Sequence, residues 1–216
     1  MTILTWLDYT GVAVFAATGA LAASRKQIDI IGFLFFACLT GIGGGTLRDL
    51  ILGQTPVFWV QQHNYLLLCV AVAVVVFFGA HRLESRYRWL LWLDAAGLAL
   101  FSVMGAAIGL SVTGSPAIAI VTGVLTATFG GVLRDVLSGD PTVLMRREIY
   151  ITAALLGASV FVLAFEFGMP GGFASLIAFA AAFGLRGGAL YFGWALPSYR
   201  NAPGRSPDEA LKRDDR

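Results

Sequence analysis

The chain has 216 residues, of which 57% are hydrophobic and only 13% charged, with a mean hydropathy of +0.77 and a formal net charge of +2. Soluble domains carry about 25% charged residues, so this composition excludes one, and the near-neutral balance excludes a nucleic-acid surface. Charge-free runs of 32 residues between Asp49 and Arg82 and 39 between Asp94 and Arg134 exceed the roughly 20 that cross a bilayer as a helix. In chain order, hydrophobic windows predict helices over Leu4–Ser24, Ile28–Leu52, Asn64–Ala80, Leu90–Ser111, Pro116–Leu137, Ile149–Phe167 and Phe173–Trp194. The segment from Pro197 to Arg216, with three prolines and nine charges, reads as a solvated, disordered tail. The expected fold is an all-α polytopic membrane protein of seven transmembrane helices.

Lys and Arg residues choose the sides. Arg25 and Lys26 follow the first helix, Arg82, Arg86 and Arg88 the third, and Arg146 and Arg147 precede the sixth. With the basic residues of the tail they share one face, so the C-terminus is expected in the cytoplasm and the N-terminus outside. Trp6, Trp59, Trp89, Trp92 and Trp194 sit near predicted helix ends, as interfacial anchors do.

The chain matches itself at an offset of 86: from Trp6–Gly53 against Trp92–Gly139, 16 of 48 positions are identical. Trp-Leu-Asp opens each first helix, and Gly-Gly-x-Leu-Arg-Asp recurs in each second helix. Three helices per copy is an odd number, which predicts an inverted repeat: 1–85 and 86–170 as the two halves, 171–196 as a seventh helix outside the symmetry, and 197–216 as the tail. In folds of this kind, sites lie near the midplane where paired helices are broken.

Glycines at Gly43, Gly44 and Gly45, and at Gly130 and Gly131, can either unwind a helical turn and free carbonyls for a cation, or let two helices pack closely. Thr40 and Thr126, one turn earlier, can line a path or bond their own helix carbonyls. Arg48 and Arg134 follow one turn later and need partners or water at that depth. Asp49 and Asp135, adjacent to them, point about 100° away. Depth instead predicts the pairs Asp8–Arg48 and Asp94–Arg134, the alternative being charges that reach back to the interface. Arg186, deep in the last helix, can face water or bond carbonyls near Gly187 and Gly188. Cys38 and Cys69 read as small core residues. His63 and His81 are too far apart to share a metal, and no catalytic or metal-binding spacing is present, so neither an enzyme nor a resident cofactor is expected.

Seven helices, a three-plus-three repeat and the paired Gly-Gly-x-Leu-Arg-Asp segments resemble the small prokaryotic branch of the trimeric intracellular cation (TRIC) channels. That resemblance implies a homotrimer in contact with lipids, each protomer carrying its own pore for monovalent cations, chiefly potassium and otherwise sodium. An arginine-to-lysine ratio of 13 to 2 points to a GC-rich prokaryotic genome and hence to the inner membrane. By the likeness, Gly43, Gly44, Gly45, Gly130 and Gly131 kink the pore-lining second and fifth helices. Arg48, Asp49, Arg134 and Asp135 are then polar groups of the pore or its supporting network. The chain has only Lys26 and Lys212, both outside the fifth helix, which departs from the lysine motifs of animal members. The same bacterial sequences also resemble a domain labelled a glycine transporter. The alternative is therefore a carrier that rocks one repeat against the other, with Arg48 or Arg134 holding a substrate carboxylate.

Overall fold

A computed structural model describes residues 3–142 and 149–197. Eight α-helices occur among them: α1 Ile3–Lys26, α2 Ile30–Ile51, α3 Phe58–Gln61, α4 Asn64–Gly79, α5 Arg86–Thr113, α6 Pro116–Ser138, α7 Ile151–Glu166 and α8 Gly171–Phe192. The four-residue α3 was not predicted. Among the described residues six helices are long and apolar enough to cross a membrane, while the apolar Ile151–Glu166 is shorter. Arg146, Arg147 and residues 198–216, which the sequence reading assigned to a loop and a tail, lie outside the described residues.

Local chemistry sets the helix ends. The Asp29 carboxylate accepts the Gly32 N–H at 2.8 Å and opens α2. Ser115 caps α6 ahead of Pro116, whose missing N–H costs nothing in the first turn. Gly114 and Gly139 close α5 and α6 with φ of 63°, a left-handed geometry that a side chain would strain.

The bundle is built around α1 and α5. The first packs on α2, α4 and α5, and the second also holds α6, α7 and α8, while α2 and α6 cross one another. Phe15 and Phe101, equivalent in the repeat, stack at 5.1 Å between ring centroids. A methyl group at Gly97 would come 2.9 Å from the Phe15 ring, and one at Gly11 would come 2.5 Å from Phe101. Each ring thus occupies the space left by the other copy's glycine. A second cluster, with Val103, Ala106, Ala158, Phe161 and Ala178 at its centre, joins the later helices. Buried alanines recur throughout, as expected where helices associate by close packing rather than by exclusion of water.

Basic groups gather at one end of the bundle. Asp140, just beyond α6, pairs with Arg25 at 3.0 Å and Lys26 at 3.1 Å at the end of α1, and Arg25 lies over the Tyr87 ring. Arg86 donates to the carbonyls of Ala80 and Ser24. Partial burial pushes the Asp140 carboxyl up, but the hydrogen bonds and charges of Lys26 and Arg25 outweigh it, and the group titrates below the usual carboxylate value. A lowered folded-state pKa stabilises above the unfolded value near 4, and that contribution disappears as pH falls through the folded value. Because the pairs are partly exposed, Asp140→Asn should cost no more than about 1 kcal/mol. Thermal melts should show this small difference shrinking in high salt and vanishing at strongly acid pH.

Candidate functional site

The centre of the molecule is the crossing of α2 and α6. Gly41 to Gly45, Gly130 and Gly131 are all buried. A methyl group on Gly44 would collide with the Thr126 carbonyl oxygen, and one on Gly130 would stand 2.5 Å from the Thr40 carbonyl oxygen. Thr126 is the repeat equivalent of Thr40, and Gly130 of Gly44. The contact is reciprocal, as at a two-fold axis where residue i meets j and j meets i. Both helices remain hydrogen-bonded through their glycines. Of the two alternatives for these glycines, close packing is realised and no unwound turn occurs among the described residues, because carbonyls stay in their ladders when the missing side chains serve to bring two backbones together.

The threonines follow the same logic. Thr126 Oγ1 donates to the Thr122 carbonyl at 2.6 Å, and Thr122, Thr128 and Thr46 likewise bond carbonyls of their own helices. Thr40 Oγ1 is buried with no hydrogen-bond partner among the described residues, which distinguishes it from its repeat equivalent.

Beyond the crossing, each second helix carries its Arg-Asp pair in a different setting. Arg134, 2% exposed, donates through Nη1 to Asp94 Oδ1 at 2.7 Å and through Nη2 to Asp135 Oδ1 at 2.8 Å. Nη1 also reaches Thr18 Oγ1 at 3.2 Å. The Tyr150 hydroxyl stands 3.5 Å from Asp94 Oδ1 and beside Gly131. The expected Asp94–Arg134 pair is present, joined by Asp135 into one buried cluster that bridges α1, α5 and α6.

In the first copy the expected pair is replaced. Arg48 bonds Asp49 Oδ1 through Nε at 2.9 Å and Nη2 at 2.8 Å, whereas Asp8 accepts the Tyr65 hydroxyl through Oδ2. Adjacent residues do leave a helix about 100° apart, but that angle describes Cβ directions. Four side-chain torsions let the guanidinium fold back onto the neighbouring carboxylate, which Asp49 also uses to accept the Phe58 N–H at 2.8 Å. That bond fixes the start of α3, and Phe58 lies under the Arg48 guanidinium, 5.5 Å from ring centroid to charge.

Arg186, 1% exposed, donates to the Ile149 carbonyl at 3.3 Å and covers the Tyr150 ring. Of the alternatives for this residue, carbonyl bonding is realised, at the entry to α7 rather than at Gly187 and Gly188. Tyr65, Tyr150, Phe58 and Thr18 are the partners that sequence reasoning missed. Tyr65 and Tyr150 are 85 apart, one short of the repeat, so an ungapped offset of 86 passes over them.

Known proteins resemble this chain along most of its length. The family model described as "Glycine transporter" matches residues 5–81 and 91–166, one stretch in each copy of the repeat. A UPF0126 membrane protein of Vibrio cholerae is 36% identical over 91% of this chain and 83% of its own length. The UPF0126 inner membrane protein YadS of Escherichia coli is 34% identical over 90% and 95%. Among solved structures, the TRIC trimeric intracellular cation channel orthologue from Rhodobacter sphaeroides is 55% identical with a TM-score of 0.88, covering 90% of this chain and 100% of that one. A prokaryotic TRIC channel solved in 0.5 M KCl is 30% identical with a TM-score of 0.84, covering 90% and 98%.

Proposed function

The chain belongs to the family of prokaryotic TRIC channels and UPF0126 membrane proteins, and from that premise we propose that it passes potassium through each protomer along the α2–α6 crossing. It is a multi-pass membrane protein and a cation channel, not an enzyme. The observation that carries the finer reading is the reciprocal seating of Gly44 on Thr126 and Gly130 on Thr40, with a buried Arg-Asp pair one turn beyond each. Such a crossing is the narrowest place two helices can make, and small relative movements there open or close it.

Arginines along a cation path would repel the permeant ion if unpaired. Here Asp49 neutralises Arg48, and Arg134 faces two carboxylates, so the local balance is neutral or negative. The same pairing disfavours the carrier alternative, since both guanidiniums that a substrate carboxylate would need are engaged. We carry over from the relatives a homotrimer in the inner membrane, in contact with lipids. Residues 1–85 and 86–170 are the inverted halves and 171–196 the appended helix, with the N-terminus outside and the C-terminus cytoplasmic. Sodium is the expected second permeant ion, and no cofactor takes part.

Purified protein in liposomes under a potassium gradient tests this reading. Unitary currents reversing near the potassium equilibrium potential are expected. Saturable glycine uptake without unitary currents would overturn it.

A further inference from the structure

The two copies of the repeat treat the same carboxylate differently. Asp94 is 1% exposed and its Oδ1 receives Arg134, whereas Asp8 is only partly buried and Arg48 turns away from it to Asp49. The described hydrogen bonding of Asp8 is the Tyr65 hydroxyl on Oδ2, which leaves Oδ1 without a donor. Asp8 lines a cavity of about 270 Å³ together with Thr5, Gln62, Tyr65 and Ser111, and Met104, Ala107 and Ile108 complete its wall. Five of eight lining side chains therefore carry oxygen. Ser111 donates its own proton to the Ile108 carbonyl, and Tyr65 donates to Asp8, so both oxygens keep lone pairs for another group.

We infer that this cavity, between the start of α1, the start of α4 and the end of α5, is a binding site for a partly hydrated monovalent cation. It lies at the end of the bundle opposite the Asp140 cluster. The ligand class follows from the donor set. One carboxylate among neutral oxygens offers a single charge, which holds a monovalent ion weakly enough to release it. Divalent ions favour sites built from several carboxylates. The neighbouring Arg48 and Asp49 cancel each other, so Asp8 supplies the net field at this mouth, and a charged mouth raises the local concentration of its counter-ion. Among the described residues the second copy offers no equivalent site: Asp94 Oδ2 also lacks a hydrogen-bond partner, but Arg134 on Oδ1 already neutralises that carboxylate. The assignment of this site as an entry to the conducting path rests on the channel reading, while the cation site itself does not.

The full chain in planar bilayers gives the test, with unitary conductance measured in symmetric 20 mM and 1 M KCl. Fields reach about 20 Å at the lower salt and about 3 Å at the higher. Asp8→Asn should lower conductance about two- to five-fold at low salt and by little at high salt, and Asp8→Glu should restore it. Ser111→Lys keeps the Asp8–Tyr65 bond and puts a positive charge into the same cavity, so it should lower conductance in the same way. Unchanged low-salt conductance in both Asp8→Asn and Ser111→Lys overturns the entry role, and a melt of the unaltered protein with no potassium-specific rise overturns the site. Melting in 300 mM KCl against 300 mM choline chloride separates binding from conduction. A potassium-specific rise of about 2–4 °C, lost in Asp8→Asn, is expected by mass action. If the unaltered protein passes no current but keeps that rise, the site stands and the channel reading falls. If neither current nor rise is present, both fall.

Discussion

Alanine at Gly44 or at Gly130 is expected to cost about 3 kcal/mol and to abolish the native crossing of α2 and α6. The reason is the identity of the atoms in the way. At Gly43 an added methyl meets the tip of Leu133 at 2.9 Å, and a leucine can change rotamer. At Gly44 and Gly130 the obstacle is the backbone carbonyl of Thr126 or Thr40, which moves only if its helix moves. Gly184 in α8 has open space around the same position, and alanine there should leave stability intact or raise it slightly. Thermal melts of Gly44→Ala, Gly130→Ala and Gly184→Ala decide the point. Equal melting temperatures for all three would remove the close crossing from the account. The double variant should cost less than the sum of its parts, because helices already pushed apart by one methyl have room for the other. Conductance is expected to change in both single variants, since the crossing is where the proposed path is narrowest.

What the residues alone disclosed has a physical pattern. Hydropathy marks segments that lipid must solvate, so the predicted windows fall within a few residues of the long helices, for example Pro116–Leu137 against Pro116–Ser138. Depth along a helix is equally readable, and it brought Asp94 to Arg134. The same argument failed for Asp8 and Arg48, because depth and helical angle say nothing of how a four-torsion side chain folds back. Nor could periodicity choose between the two uses of Gly44 and Gly130. Unwinding and close approach require the same missing side chain, and only the position of the opposing Thr126 and Thr40 carbonyls decides. Helix α3 escaped notice because four residues, Phe58–Gln61, are too few for a periodic signal, and it owes its start to a carboxylate nine residues earlier. Tyr150 was hidden by a one-residue slip in the repeat.

Removing Arg134 is expected to be the most damaging of the charge substitutions. Arg134→Met would remove the guanidinium that the buried Asp94 and Asp135 share, and breaking a buried pair from one side costs about 3–5 kcal/mol. Water offers little compensation there, since Asp94 is 1% and Asp135 4% exposed. Asp94→Asn should cost less, because Arg134 keeps Asp135 and the Thr18 hydroxyl. Arg48→Met should also cost less than Arg134→Met: Arg48 bonds one carboxylate where Arg134 bonds two, and Asp49 still accepts the Phe58 N–H. The informative comparison is the pair of neutral replacements, Arg134→Met with Asp94→Leu. Charge burial is then removed from both sides of that bond, and stability should recover by at least half of the single-variant loss, as apolar substitutes for buried ion pairs do elsewhere. Full recovery is not expected, because the Arg134–Asp135 contact is lost as well. Denaturant titration of the four variants in mixed micelles would measure these differences. An Arg134→Met protein as stable as Arg48→Met would mean that the second cluster is solvated, contrary to its burial. If stability recovers in the double variant while conductance does not, the cluster sets the path as well as the fold. A recovery of both would confine Arg134 to holding α1, α5 and α6 together.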